Sequence, residues 1–209
     1  MIVVVVESKV QPEQAAQALH AAQEGLRRAA LSQTARRQSR FFQSRIDPSS
    51  FLYLGIWESR AAYDALFSAR RPSAVEQSMS EPVQPRYFRI LSTYERVLMP
   101  MEIVVCQMVT GPACAAPSLR AFFSEIFARR SEAGGGLVLS MHCEEIDAPG
   151  NFVLVSGWRS AEALAIGAAA YRDDFHRQIA AVGATYHRFL GQTRYDSLLP
   201  RSSNIGDRA

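Results

Sequence analysis

The chain has 209 residues, room for one large domain or two of about 100, with 48% apolar and 21% charged residues. The net charge is +3, and neither residues 1–100 nor residues 101–209 form a basic domain, which speaks against a nucleic-acid partner. No apolar run approaches the roughly 18 residues of a membrane span, and Cys106, Cys114 and Cys143 show neither a disulfide ladder nor the spacing of a zinc site.

The opening run "MIVVVV" stops at Glu7 and has no basic segment before it. It reads as a buried strand over Ile2–Lys9 rather than a signal peptide, and the protein as cytoplasmic. Pro12 opens a helix with Ala15, Leu19, Ala22 and Leu26 on one stripe. Strands follow at Arg37–Ile46 and Phe51–Trp57, joined by the turn "DPSS". Ser59 caps a second helix carrying Tyr63, Leu66, Phe67 and Arg70, and Arg86–Val97 is a last strand. Arg36, Arg37, Arg40 and Arg45 give the second strand the look of a solvated edge, or Arg40 reaches inward to an anion.

From Pro100 onward the series repeats. A strand covers Glu102–Thr110. Ser118 caps a helix with Leu119, Phe122, Phe123, Ile126 and Phe127 at the spacing of a buried face. The glycines Gly134–Gly136 stop it. Strands at Leu137–Ile146 and Phe152–Trp158 flank "DAPGN". Ser160 caps a helix in which Leu164, Ala168, Tyr171 and Phe175 follow one stripe, and Tyr186–Leu198 is the final strand. At a constant offset of 101, Ile2 falls on Ile103, Arg28 on Arg129, Pro48 on Pro149 and Phe51 on Phe152. Trp57 falls on Trp158, Ser59 on Ser160, Phe88 on Phe189 and Tyr94 on Tyr195. One ungapped offset across the whole series is an internal duplication. Residues 1–98 and 102–198 are two β-α-β-β-α-β repeats of ferredoxin-like, α+β type, followed by a polar tail at 199–209.

Both faces of the third strand are apolar: Phe51, Tyr53 and Trp57 alternate with Leu52, Leu54 and Ile56. A sheet with one open face would alternate apolar with polar residues. Each sheet therefore needs cover, and the expected object is one barrel built from the two copies.

The runs "FLYLGIWESRAAY" and "NFVLVSGWRSAEAL" carry a resemblance. They look like the dimeric α+β barrel superfamily, and specifically the antibiotic biosynthesis monooxygenase domain, here in tandem. That resemblance implies a cofactor-independent monooxygenase acting with O₂ on a small aromatic, quinol or polyketide-like substrate. It equally admits a binding or stress-associated barrel without catalysis, or a non-oxidative isomerase or cyclase on the same fold. The haem-degrading branch is a poor match, because the first strands carry no Asn. The family often has Phe-His late in its second helix, which makes His176 in "YRDDFHRQI" the expected catalytic base. Tyr171 and Phe175 would line a pocket beside it. Val75 and Arg70 occupy the first repeat's positions for His176 and Tyr171, so one site per chain is expected, in the second copy. Trp57 and Trp158 lie where strand meets helix, Tyr53 points to the same side as Trp57, and all three are candidates both for lining the pocket and for packing the core. His142, within "HCEE", can share a strand face with Glu144, but two ligands make no metal site. No cofactor, metal or membrane is expected, and two such chains could associate as a homodimer.

Overall fold

The structure, a computed structural model, describes residues 1–32, 36–69, 84–96, 99–132 and 135–197. The expected end of the second helix at Arg70 and the tail at 199–209 lie outside these, as do Val75 and Gly134. Strands β1 (Ile2–Lys9), β2 (Arg36–Ser44), β3 (Ser50–Trp57) and β4 (Arg86–Glu95) alternate with helices α1 (Ala15–Ser32) and α2 (Arg60–Ala69). The second repeat has β5 (Ile103–Thr110), α3 (Ala116–Glu132), β6 (Leu137–Glu145), β7 (Phe152–Trp158), α4 (Ala161–Ala169), α5 (Arg172–Ala181) and β8 (Thr185–Asp196). Both repeats thus have the ferredoxin-like α+β fold expected from the duplication. Among the described residues no helix is long and apolar enough to cross a membrane.

Two compact units form, and their borders fall inside strands. Unit 1 gathers Met1–Tyr87 with the chain from Gly191 onward, and unit 2 is Phe88–Leu190. In unit 1 the strand order is β1-β3-β2-β8, where Arg40 pairs with Asp196 and Ser44 with Gly191. In unit 2 the order is β5-β7-β6-β4, where Phe88 pairs with Glu145 and Glu95 with Leu139. Each unit is therefore completed by a strand that begins in the other repeat.

This pairing corrects the reading of β2 as a solvated edge. β2 is hydrogen-bonded on both sides, to β3 and to β8. Arg40 is buried, and its Nε donates to Asp196 Oδ2 at 2.8 Å. The Gln38 amide, with its oxygen toward the guanidinium, accepts from Arg40 Nη1 at 3.1 Å. A register shift between Arg36 and Gln38 also displaces the simple alternation of the strand's arginines.

The helix starts follow local chemistry. Pro12 opens a 3-10 turn that leads into α1, as expected. The hydroxyl of Ser160 accepts from the Ala163 amide, and that of Ser59 from the Ala62 amide, each at 3.1 Å. Ser118 is not a cap: α3 begins two residues earlier, behind a 3-10 turn at Ala113–Ala115, and the Ser118 hydroxyl accepts from Gln178 Nε2. Gly136, with φ at +88°, closes the path from α3 into β6. The single helix expected after Ser160 is broken at Tyr171, whose φ of −137° and ψ of 0° are not helical. Its carbonyl accepts from the Phe175 amide and starts α5.

The Arg40–Asp196 contact is a buried pair, with side-chain exposures of 1% and 4%. Removing one partner leaves an uncompensated charge, so Asp196→Ala should cost about 3–5 kcal/mol of unfolding free energy. Replacing both partners by apolar residues of similar volume, Arg40→Met with Asp196→Leu, should recover most of that loss. Urea denaturation midpoints of the three proteins check this.

Candidate functional site

Unit 2 packs α3, α4 and α5 on its sheet around Leu119, Phe123, Ile126, Phe152, Phe175 and Ile179. This apolar interior contains two polar side chains that nothing in the sequence pairs. Arg130 is 4% exposed, and among the described residues its Nε, Nη1 and Nη2 make no well-formed hydrogen bond, the Tyr171 side chain being the group that acts on it. His142 is fully buried, with Nδ1 and Nε2 both unpartnered. Native interiors rarely leave such groups unsatisfied, and a buried charge without a partner costs several kcal/mol.

Three elements bring them together. Arg130 lies on α3 eleven residues after Leu119, so it extends the Leu119–Phe123–Ile126 stripe into the interior. The break between α4 and α5 turns Tyr171 inward, and the Arg130 guanidinium carbon sits 3.8 Å from the centre of its ring. That desolvated cation–π contact offsets about 2 kcal/mol or more. His142 comes from β6 and meets Phe127 edge-on at 5.1 Å and Phe123 at 6.3 Å between ring centres.

The electrostatics follow from this burial. Desolvation, and after it the Arg130 charge, holds the His142 imidazole down at about 3, with a small opposing effect from the Phe123 backbone. Burial likewise lowers the Arg130 guanidinium from its ordinary value, against the pull of Tyr171. His142 is therefore neutral near pH 7, with one N–H donor and one lone pair. Cys143, facing the other way on the strand, is a buried thiol whose pKa burial alone raises.

The residues singled out from sequence divide. Tyr171 and Phe175 are buried in this core, Tyr171 in contact with Arg130. His176 is exposed, and its Nε2 is hydrogen-bonded to the Tyr186 hydroxyl at 2.8 Å, the two rings stacked. Trp158 is buried with its indole N–H unpartnered, and α4 approaches its ring so closely at Gly167 that a Cβ would collide. In unit 1, Trp57 is buried against Val4, Val6, Tyr63 and Tyr87, and its Nε1 donates to the Tyr53 hydroxyl at 3.3 Å. Gly55 makes room for that bond, since a Cβ there would meet the Trp57 indole nitrogen at 2.6 Å. Burial raises the Tyr53 phenol pKa, against the indole's hydrogen bond.

Glu144 does not join His142. Arg120 and Arg89 hold its carboxylate, each with a contact at 2.8 Å, and outweigh the effect of burial to keep its pKa low. Among the described residues no three His, Cys, Asp or Glu side chains converge on a metal position. Arg130 escaped notice in the sequence, although its place on an apolar stripe was the available signal.

The duplication shows that the buried pair is specific to one copy. At the offset of 101, Arg130 corresponds to Ala29 and His142 to Phe41. Phe41 stacks on Phe51 at 5.3 Å between ring centres, an apolar contact with no polar group to satisfy.

Residues 1–71 match the family model of the antibiotic biosynthesis monooxygenases. No curated protein matches the chain. Among solved structures, a candidate monooxygenase from Fusobacterium nucleatum is 13% identical, with a TM-score of 0.75 and 93% of each chain covered. A candidate monooxygenase from Lactobacillus acidophilus is 9% identical, with a TM-score of 0.68 over 94% of this chain and 93% of that one. An anthrone oxidase-like protein is 14% identical, with a TM-score of 0.64 over 93% and 92%. The chain thus has the ferredoxin-like fold of the antibiotic biosynthesis monooxygenases, and its first repeat matches their family model.

Proposed function

We propose that this protein is a cofactor-independent oxygenase of small aromatic substrates, with one active site per chain, in the interior of unit 2. The observation that carries this reading is the pair of unsatisfied polar side chains, Arg130 and His142, among aromatic walls, where the first repeat has Ala29 and Phe41. The monooxygenase family match and the likeness to an anthrone oxidase-like protein supply the reaction class.

The chemistry asks three things of the protein. A phenol or enol must lose its proton, its anion must be stabilised away from water, and O₂ must reach it. His142 presents an imidazole lone pair to the hydroxyl, and Arg130 presents N–H donors to the developing oxyanion. The carbanion form of the substrate transfers electrons to O₂. A ring CH₂ becomes C=O, one oxygen atom stays on carbon, and the other leaves as water with the two hydrogens. The four electrons come from the substrate and O₂ is the oxidant, so no metal or flavin enters the balance. Phe123, Phe127 and Tyr171 orient the flat ring.

In an oxygen electrode, with a panel of anthrones and hydroquinones, wild-type protein should consume O₂. His142→Phe, which installs the residue of the first repeat, should lower turnover by about 10²–10⁴-fold. His176→Ala, at an exposed position, should leave it within about threefold. Uptake that survives His142→Phe but is lost in His176→Ala would move the site to the exposed end of α5.

The depressed pKa of His142 also sets a pH dependence. The unfolded chain protonates this residue below about 6.5, whereas the folded one does so only near 3. Stability is therefore fully present above about pH 6.5 and falls by about 1.4 kcal/mol for each unit below it, until about pH 3. The charged side chain that acts on the ring is Arg130. Urea melts at pH 7 and pH 5 should show His142→Phe losing less stability than wild type by about 2 kcal/mol.

A further inference from the structure

The two units pair their crossing strands two residues out of step. The ladder from β2 to β8 is interrupted between Phe41 and Phe42, which face Tyr195 and Thr193, so Arg194 is the extra residue. The ladder from β6 to β4 is interrupted at the matching place, between His142 and Cys143, which face Ser92 and Ile90. Here the extra residue is Leu91, which at the offset of 101 corresponds to Gln192 rather than Arg194. Tyr195 therefore faces Phe41, whereas its counterpart Tyr94 faces Ser140 instead of His142. Apolar patterning does not choose between these registers, because a shift of two residues returns side chains away from the bulge to the face they had. No hairpin turn joins β2 to β8 or β6 to β4, so loop length does not choose either.

We propose that two buried charge contacts are register locks, each holding one crossing strand against a two-residue slip into the register of the sister unit. In unit 1, buried Arg40 lies directly opposite Asp196 and donates from Nε to its Oδ2 at 2.8 Å. The register of unit 2 would set Arg40 opposite Arg194, two cations in the interior. In unit 2, buried Glu144 lies opposite Arg89, whose Nη2 donates to Oε2 at 2.8 Å, while Arg120 of α3 holds Oε1. The register of unit 1 would set Glu144 opposite Leu91, and Glu95 opposite the buried Met141. Neither contact has a counterpart in the other copy, where Arg40 corresponds to Met141, Glu144 to Gln43 and Arg89 to Leu190. A buried ion pair that adds little net stability can still select one register, since the alternatives strand its charges. This is independent of the oxygenase reading, although the register of unit 2 is what places Ser92 opposite His142.

Two engineered cross-links in the full chain test the lock of unit 1, with the exposed Cys114 replaced by Ser. Gln43→Cys with Gln192→Cys reports the present register, in which these residues face each other. Gln43→Cys with Leu190→Cys reports the shifted one, because a disulfide closes between facing residues and not across a diagonal. Both are brought to equilibrium in a glutathione redox buffer, and the bonded peptides are identified by mass. In the otherwise native chain the first pair should form, and the second should be weaker by about tenfold or more. Adding Arg40→Met and Asp196→Leu, which together should leave the urea midpoint near that of the native chain, should strengthen the second pair by about tenfold or more. Asp196→Asn, which keeps the shape and removes the charge, should strengthen it by a smaller factor. That change in register at nearly constant stability is what a purely stabilising pair would not produce. An unchanged ratio of the two cross-links in the folded double variant overturns the proposal. Should the double variant fail to fold, an unchanged ratio in Asp196→Asn overturns it equally.

Discussion

A strand in a protein interior must have its backbone donors and acceptors paired, and that requirement organises this chain. In unit 1, β2 finds its second neighbour in Gly191–Asp196, and in unit 2, β6 finds its own in Phe88–Glu95. Neither repeat finishes its own sheet. The consequence reaches the side chains: because Arg40 on β2 lies opposite Asp196 on β8, a residue 156 positions away balances a charge that would otherwise be buried alone. A deletion near the C-terminus would therefore be felt in the N-terminal unit.

Duplication gives the chain two similar folds and the freedom to spend one of them differently. In unit 1 the equivalent interior is closed by satisfied contacts: Phe41 stacks on Phe51, Gly55 lets the Trp57 indole reach the Tyr53 hydroxyl, and the Tyr195 hydroxyl donates to the Leu26 carbonyl at 3.4 Å. In unit 2 the same layer contains unpaired groups. A core optimised for stability alone would leave no guanidinium or imidazole without a well-formed hydrogen bond. The difference between the copies is informative, since both repeats have the same β-α-β-β-α-β plan while the residues at these two positions differ. Sites of function commonly sit where local stability is given up.

The fold was legible because it rests on periodicity, and periodicity survives in the sequence. The runs at Ile2–Lys9 and Phe152–Trp158 and the capping serines Ser59 and Ser160 are local signals, and the structure places them as read. What escaped was set by distant partners. Arg40 looked solvated because Asp196 is far along the chain, and the helix after Ser160 looked continuous because its spacing hides a break at Tyr171. Tyr171 and Phe175 were legible as interior residues by their helical spacing. His176 drew attention through its family position, whereas the geometry puts the unsatisfied histidine on a strand. His142 had been seen beside Glu144, but which face of β6 meets α3 is not written in the strand. Arg130 was hidden by its type, since an arginine beside Arg129 near a helix end reads as solvent-facing even when it continues an apolar stripe.

Arg130 and His142 also act on one another. The imidazole is a poor base because it is desolvated and then because it faces the Arg130 charge, the first effect arising from the packing of α3 on β6 and the second from a residue of α3. The first repeat, with Ala29 and Phe41 at these positions, has neither group there.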